Sequence, residues 1–301
     1  MTDVTLGQNA PLVFDDDAPA IKVRGYWATV GNRLRYDYVS LFFAAVIILI
    51  VLAAIFAPLI APFDPNKTSM AFRLKPIGFR NFLLGTDELG RDMLSRLIYG
   101  GRMSLLMGLV PVVIATALGG TLGVIAGFLG GPVNMLIMRT VDIFYAFPSV
   151  LLAVAISGTM GGGMSNGLLA LTLVFIPPLC RIAETATTQV RNLDFVEAAR
   201  ASGAPTWSII IHHVLGNVIS PVFIYASSLI SVSILLAAGL SFLGLGVEPP
   251  TPDWGLMLST LRQAIYVQPY VCALPGLAIF ITSLSFNLVS DGLRHAMDVR
   301  I

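Results

Sequence analysis

The chain carries little charge. Asp, Glu, Lys and Arg make up 12% of its 301 residues, against roughly 25% in soluble globular proteins, while 56% of the residues are hydrophobic. The 18 basic and 17 acidic residues leave a formal net charge of +1, so the balance indicates neither a nucleic-acid partner nor an acidic substrate. This composition disfavours a soluble globular fold.

Cysteine and catalytic motifs are scarce as well. Cys180 and Cys272 lie inside apolar stretches without a CxxC spacing, which favours buried free thiols over a disulfide or a metal site. No Gly-Lys pair occurs anywhere, so the chain is not expected to bind or hydrolyse ATP through a Walker A loop. The HExxH motif is missing too. We therefore predict no catalytic residue, no bound cofactor and no metal in this chain.

Charge is absent from five long stretches, each longer than the about 20 residues that a bilayer-spanning helix needs. The stretches are 38–63, 103–138, 143–180, 201–247 and 263–290. They predict an all-α polytopic membrane protein with six transmembrane helices, because some stretches hold more than one helix. The predicted helices lie at about 38–60, 103–129, 133–157, 168–188, 214–243 and 271–289.

The polar segments indicate the topology. The N-terminal segment lacks a cleavable signal pattern and turns basic at Arg33 and Arg35 just before the first apolar run, which predicts a retained cytoplasmic tail. Six spans put both termini on one side of the membrane. Between Asp87 and Tyr99, apolar residues at near-helical spacing predict an amphipathic helix at the membrane interface. Basic residues divide almost evenly between the two sides, so the positive-inside preference is weak.

A ridge of small residues runs along the second predicted span. Gly119, Gly123, Gly127 and Gly131 recur every four residues, a pattern that lets another helix approach closely. We favour this packing role over a role in permeation.

Two opposite charges lie near the start of the third predicted span. Arg139 and Asp142 stand three residues apart, close enough on one helix to form an ion pair. Charge inside a membrane often marks a functional site, but we favour a structural pair at the cytoplasmic end of the span.

The segment DFVEAARASG between the fourth and fifth spans has the pattern of a short helix with defined ends. Asp194 can cap the N-terminus, Glu197 follows three residues later as in a capping box, and Ala198 and Ala199 add helix propensity without bulk. Gly203 then supplies the stop. The pattern predicts a small-surfaced helix that can lie in a groove on another protein, and the alternative is an ordinary interhelical connector.

Glu197, Ala198 and Ala199, followed after three residues by Gly203, resemble the EAA motif of permeases of bacterial ATP-binding-cassette (ABC) importers. In that family the motif continues into an Ile-x-Leu-Pro element. Here Leu215 keeps the Leu, whereas a His and a Gly stand in place of the Ile and the Pro. The resemblance implies the type I ABC importer permease fold and a helix that couples the spans to a separate ATPase.

Three further segments resemble the dipeptide and oligopeptide (and nickel) transport subfamily, specifically its C-type subunit. They read FLLGTDELGRDMLSRLIYGGR, LSFLGLGVEPPTPDWGLML and RLRYDYVSLFFAAVIILIVLAAIFAPLIAPFDPN. Together the resemblance covers nearly the whole chain from about Arg33 to Asp298. It implies a cytoplasmic tail at 1–36, an extra N-terminal transmembrane helix at 37–62, an external loop with an interfacial helix at 63–102, a five-helix permease core at 103–293 with its EAA loop at about 189–212, and a cytoplasmic tail at 294–301.

The same resemblance implies a multi-pass protein of the bacterial cytoplasmic (inner) membrane, with both termini in the cytoplasm. Its expected partners are a homologous second permease, two ABC ATPase subunits that bind ATP and Mg, an external solute-binding protein and the lipid bilayer, but no nucleic acid. The chain would be a non-catalytic subunit that imports di- or oligopeptides by alternating access.

The alternative function is that of a secondary transporter of a small solute, working without ATPase subunits. Such a protein is expected to show inverted repeats and paired ionisable residues near the midplane of its spans. The plausible acids here, Asp142 and Glu184, lie near the predicted cytoplasmic ends. A structural membrane scaffold, the third hypothesis, gives no reason for a capped, Ala-rich helix in the EAA loop.

Overall fold

The computed structural model of the protein describes residues 26–297, and these are helical almost throughout. The long helices are α2 (Tyr38–Ile55), α4 (Met93–Leu129), α7 (Met164–Arg191), α10 (Leu215–Phe242) and α12 (Pro269–Met297). The short ones are α1 (Tyr26–Tyr36), α3 (Ala57–Ile60), α5 (Gly131–Tyr145), α6 (Ser149–Thr159), α8 (Asp194–Ala201), α9 (Thr206–Ile209) and α11 (Trp254–Leu261). Because residues 26–297 contain isolated β-bridges but no strand, the all-α prediction is confirmed.

Five helical segments in this range are long and apolar enough to cross a membrane, and α9 and α10 together form one of them. Helices α5 and α6, which meet at a bend of 87°, are long and apolar enough for a sixth crossing when they are taken together. The six-span prediction is confirmed when this bent pair counts as one span. The predicted continuous helix at 133–157 is wrong, because Pro148 has no N–H to donate and pushes the preceding residue out of the helical region.

The glycine ridge packs α4 directly against α7. A Cβ added to Gly119, Gly123 or Gly127 would lie 2.7 Å from Ile176 O, 2.3 Å from Cys180 O or 2.7 Å from Glu184 O, respectively. The two backbones therefore touch with no side chain between them, as the four-residue repeat predicts. The prediction is wrong for Gly131, because this residue begins α5 and an added Cβ there would meet nothing within 4 Å. The helix ends at Leu129, before the fourth repeat.

The predicted interfacial helix at 87–99 is also wrong. Its first part forms tight turns, with Gly90 at φ 73°, which a right-handed helix cannot accommodate. The helix begins only after Asp92, whose Oδ2 accepts from Ser95 N at 2.8 Å as an N-cap. Met93 is fully buried. This segment is thus the buried first turn of α4, which starts ten residues earlier than the predicted second span.

A buried charge cluster stabilises the loop before α4, residues 61–92, called the first loop below. Arg91 Nε lies 2.5 Å from Asp87 Oδ2, and Arg91 Nη2 lies 2.9 Å from Glu88 Oε1. Arg96 Nε lies 3.4 Å from the same Asp87 oxygen, and its Nη1 donates to Pro65 O at 3.0 Å. The side chains of Asp87 and Arg91 are only 2% and 6% exposed. These bonds join the turn at 87–91 to α4 and to the start of the first loop.

The short helix α11 is wedged against α4 at the same end of the bundle. Asp253 caps it by accepting from Leu256 N at 3.1 Å, and its other oxygen accepts from Ser104 Oγ of α4 at 2.7 Å. Trp254 Nε1 donates to Leu97 O of α4 at 2.9 Å. Burial raises the pKa of the Asp253 carboxyl, although hydrogen bonds from Ser104 and Leu256 oppose that rise.

Helices α1 and α2 pack along α12. Val30 of α1 is buried with Ala296 at the end of α12. Asp37 caps α2, accepting from Ser40 N at 3.2 Å and from Ser40 Oγ at 2.6 Å, and these bonds lower the pKa of the Asp37 carboxyl. Of the two predicted cytoplasmic tails, residues 1–25 and 298–301 lie outside the described residues.

The chain order places two groups of loops at opposite ends of the bundle. The first-loop end carries residues 61–92 and 243–268, and Ser157 Oγ donating to Leu245 O at 2.8 Å ties α6 to it. The other end carries the end of α1 and residues 192–214, which link α7 to α10 and are called the connector. We call this second end the connector end.

Candidate functional site

The connector contains α8, and the stop at Gly203 is confirmed. Gly203 adopts φ 78°, in the left-handed region that favours glycine. Its N–H donates to Arg200 O at 2.9 Å, and Ala204 N donates to Ala199 O at 3.2 Å. These two bonds form a Schellman motif, which satisfies carbonyls at the end of α8 and turns the chain toward α9.

The predicted cap at the start of α8 is corrected. Leu193, in an extended conformation, occupies the N-cap position without a side-chain cap bond, and Asp194 is the first helical residue. The capping box with Glu197 therefore does not form. Both carboxylates still lie in the first turn of α8, where negative charge interacts favourably with the helix dipole.

One face of α8 is anchored in the core. Val196 is 0% exposed and belongs to the main hydrophobic cluster, together with Phe128 of α4. Ala199 and Ala204 pack against the same cluster. The guanidinium of Arg200 lies over the Phe128 ring, 5.2 Å from its centroid. The helix is therefore fixed to the ends of the spans and follows any movement of them.

The opposite face of α8 is exposed. Its members follow the spacing i, i+3, i+4, i+7 and i+8, which defines one side of an α-helix. They are Asp194, Glu197, Ala198, Ala201 and Ser202. Two carboxylates and three small side chains give a narrow, polar surface, called the α8 face below. Such a surface fits a groove on another protein.

The connector continues into α10 through a π-helical turn, Ile210–Val214, which sequence reasoning missed. Leu215 N donates to Ile210 O, five residues back, and Leu215 packs against the core cluster. Gly216 is exposed, and an added Cβ there would meet nothing within 4 Å. The helix is irregular one turn before the position where the family pattern has its Pro. No local sequence signal marks this turn.

A polar network that sequence reasoning also missed supports the connector from α7. Glu184 Oε1 accepts from Asn134 Nδ2 of α5 at 2.7 Å and from Thr188 Oγ1 at 3.3 Å. Arg191 Nη1 donates to Gly127 O of α4 at 3.0 Å. The one available signal was the placement of polar residues about one turn apart along the end of a span. The network joins α4, α5 and α7 just before the connector begins.

The predicted ion pair between Arg139 and Asp142 is corrected. Asp142 Oδ1 accepts from Arg181 Nη2 of α7, and Arg139 is exposed. The Arg181 guanidinium also lies over the Tyr145 ring, 5.3 Å from its centroid. The contact between α5 and α7 brings Arg181 to Asp142, which the spacing along α5 could not show. Within residues 26–297, no group of three or more His, Cys, Asp or Glu residues is arranged to hold a metal ion.

Residues 119–301 match the family described as the binding-protein-dependent transport system inner membrane component. Residues 25–76 match the N-terminal transmembrane domain of oligopeptide transport permease C. The chain is 46% identical to the di/tripeptide transport system permease protein DppC of Pseudomonas aeruginosa, over 84% of this chain and 86% of that protein. It is 38% identical to the glutathione transport system permease protein GsiD of Pectobacterium atrosepticum, over 93% of each chain.

Two solved structures share the fold. An inward-facing form of the methionine ABC transporter MetNI matches with a TM-score of 0.57 and 19% identity, over 68% of this chain and 97% of that one. An amino acid ABC transporter solved with histidines matches with a TM-score of 0.51 and 16% identity, over 67% of this chain and 94% of that one. The fold expected from the EAA resemblance is therefore confirmed.

Proposed function

The chain belongs to the family of binding-protein-dependent transport system inner membrane components, the permeases of ABC importers, and we propose that it moves peptides into the bacterial cytoplasm. In this proposal it is one of two homologous permease subunits that alternately open a pathway to the outside and to the inside. Two separate ATPase subunits bind ATP and Mg and drive the movement. An external solute-binding protein delivers the peptide.

The observation that carries the coupling proposal is the two-sided construction of α8. Its exposed face consists of Asp194, Glu197 and small side chains, while Val196 on the other face is completely buried in the core. A push on the exposed face therefore reaches the spans as a rigid-body displacement of α7 and α10. In our proposal an ATPase subunit receives the α8 face in a groove.

This assignment sets the orientation. If the α8 face meets a cytoplasmic ATPase, the connector end lies in the cytoplasm together with both termini. The first loop and residues 243–268 then lie outside, where the solute-binding protein docks. The buried charge cluster at Asp87 and Arg91 gives this docking surface a fixed shape.

The substrate class follows from the two relatives, which transport di/tripeptides and glutathione. We propose di- or oligopeptides for this chain. The length and sequence of the peptide are selected chiefly by the binding protein.

Charge reversal on the α8 face tests the coupling. We expect Glu197→Lys and Gly203→Asp to abolish peptide uptake while the chain still reaches the membrane, since the first alters the docking charge and the second places a carboxylate beside it. Asp291→Lys is the matched control, because it reverses an exposed acid of α12 at the same end of the bundle. Normal uptake by the Glu197→Lys and Gly203→Asp variants would contradict the coupling role of α8.

Purification in a gentle detergent tests the partners. We expect the tagged chain to retain a second permease and two ATPases with Walker A loops, identified by mass spectrometry. A chain that is recovered alone or only with copies of itself, yet remains active in uptake, would instead establish a secondary transporter.

A further inference from the structure

Two opposite charges lie farther from the connector end than the cytoplasmic-end position expected for Asp142 from the sequence. Arg181 is ten residues from the end of α7 at Arg191, and Asp142 is eleven residues from the start of α5 at Gly131. At about 1.5 Å per helical residue, each charge is about 15 Å from the connector end of its helix. Helix α7 has 28 residues and is about 42 Å long, so when a hydrocarbon core of about 30 Å is centred on it, Arg181 and its partner Asp142 lie inside that core.

The pair is not buried within the chain. Arg181 Nη2 donates to Asp142 Oδ1, yet the side chains are 46% and 44% exposed. Lipid chains offer no hydrogen bonds to the remaining guanidinium and carboxylate atoms, and charged side chains in a membrane therefore face protein or water. The surface that carries Asp142 and Arg181 must accordingly be turned away from lipid.

The α2 helix shows what a surface that suits lipid looks like. It contains no charged residue, and its exposed side chains include Leu41, Phe42, Ile48 and Leu49. The contrast assigns the exposed face of α2 to lipid and the surface that carries Asp142 and Arg181 to water or protein.

A cavity lies beside the pair. It has a volume of about 240 Å³ and is lined by the α5–α6 bend, α7 and α10. Tyr145, which lies under the Arg181 guanidinium, forms part of its wall, and so do Phe147, Ser149 and Tyr225. A small molecule held at the ion pair would therefore place an adjoining side chain against this wall.

We propose that Asp142 and Arg181 line the aqueous transport pathway and form a transient binding site for zwitterionic peptides. When the peptide arrives, the pair opens. The planar guanidinium of Arg181 then binds the peptide carboxylate, which it matches with two parallel hydrogen bonds, and Asp142 binds the peptide ammonium. Every charge keeps a partner of opposite sign, and the pair reforms when the peptide leaves. The proposal rests on the proposed function of peptide import.

Thiol labelling of the assembled importer in lipid nanodiscs, without its binding protein, tests the site. Cys180 and Cys272 are first replaced by alanine, and Ser149→Cys then places a reporter thiol in the cavity wall. We expect a charged methanethiosulfonate reagent to modify this thiol from water. Dialanine should slow the modification by about tenfold at saturation, whereas N-acetyl-dialanine amide, which has no terminal charges, should not.

Charge removal identifies the residues. Asp142→Asn and Arg181→Gln should each abolish the protection by dialanine, while Arg294→Gln, which removes an exposed cation near the end of α12, should leave it intact. A second reporter, Leu49→Cys on the exposed apolar face of α2, should resist the charged reagent. A purely structural ion pair would lower the stability of the variants without making protection depend on the peptide termini.

Each remaining outcome overturns the proposal. An unreactive Ser149→Cys would mean that this face is closed by the second permease. Equal protection by both peptides, or protection that survives Asp142→Asn and Arg181→Gln, would exclude binding at the pair. If the Ser149→Cys importer takes up peptides with its binding protein but shows no protection by dialanine, the site fails and the proposed function stands. If the wild-type importer takes up no peptide, the proposed function fails as well.

Discussion

At the first-loop end, Asp87 and Arg91 are almost completely buried and bonded to each other, whereas at the connector end Asp194 and Glu197 lie exposed on α8. Both regions are polar segments between the same kinds of apolar span. In the first loop Asp87, Glu88 and Arg91 pair with one another or with Arg96 of α4, so the turn at 87–91 is complete without another protein. In the connector the polar face of α8 is left open, and the helix is anchored by its opposite face, with Val196 completely buried. The first loop is therefore a rigid, self-contained region, whereas the α8 face is an exposed surface that can bind another protein.

The two helix-capping aspartates repeat this contrast. Asp253 at the first-loop end is buried, and its pKa is raised because burial disfavours the charged form. Asp37 at the connector end has its pKa lowered by the Ser40 hydroxyl and N–H, which stabilise the charged form. The same residue type thus performs the same capping task with opposite electrostatic consequences.

Breaking the buried pair should have the largest effect. Arg91→Leu leaves the Asp87 carboxylate without its closest cation, and we expect the free energy of unfolding to fall by about 3–5 kcal/mol. Glu197→Gln, on the exposed α8 face, should change it by less than about 0.5 kcal/mol. Denaturant unfolding of the detergent-solubilised chain measures both. Similar losses of unfolding free energy in the two variants would contradict the distinction between a rigid first loop and an exposed docking surface on α8.

Replacing either of two glycines by alanine should give the next largest changes in stability, and the two changes should have opposite signs. At Gly123 the new Cβ would lie 2.3 Å from Cys180 O, so α4 and α7 must separate, at a cost of about 1–3 kcal/mol. At Gly216 the Cβ meets nothing, and the better helix propensity of alanine should stabilise α10 by about 0.5–1 kcal/mol. Thermal unfolding midpoints of the two variants should therefore lie on either side of the wild-type value. Two shifts in the same direction would contradict the packing assigned to these positions.

The stop of α8 should have a moderate, local effect. Gly203→Val forces a β-branched residue into φ 78°, at a cost of about 1–2 kcal/mol, which should fray α8 without unfolding the spans. Amide hydrogen exchange should rise within residues 194–204, and uptake should fall with it. Gly203→Asn should give exchange and uptake between those of wild type and Gly203→Val, because Asn tolerates this conformation better than Val. Uniform exchange throughout the chain would show that Gly203 serves the whole fold.

The pH dependence of stability should be the smallest effect, and it should have opposite signs for the two capping aspartates, Asp253 and Asp37. Because the folded pKa of Asp253 is raised, its contribution to stability is greatest below the unfolded value of 3.8 and declines as the pH rises through the folded pKa. For Asp37 the folded pKa is lowered, so its contribution is present above 3.8 and is lost as the pH falls through the folded pKa. Melting curves of Asp253→Asn and Asp37→Asn against wild type across acidic pH should therefore diverge in opposite directions. Parallel curves would contradict the assignment.

Local patterns predicted much of the candidate site. The i to i+8 spacing of small and acidic residues in α8 and the stop at Gly203 are properties of a few consecutive residues, so the helix and its end could be foreseen. The cap at Asp194 was misplaced by one residue, because several conformations of the chain before α8 satisfy the same pattern. The π turn at Ile210–Val214 had no local signal, since its hydrogen bonds depend on how α9 and α10 pack onto the core.

The sequence by itself determined the helical class, the number of spans, the direct contact of α4 through its glycines and the polar connector, because each follows from hydropathy or from spacing within one helix. Only the tertiary structure decided that Asp87 and Arg91 are buried, that the third span bends at Pro148, and that Asp142 pairs with Arg181, 39 residues away. Spacing along one helix sets distances within that helix. The distance between two charges on different helices is set by the packing of whole spans, and no short pattern encodes it.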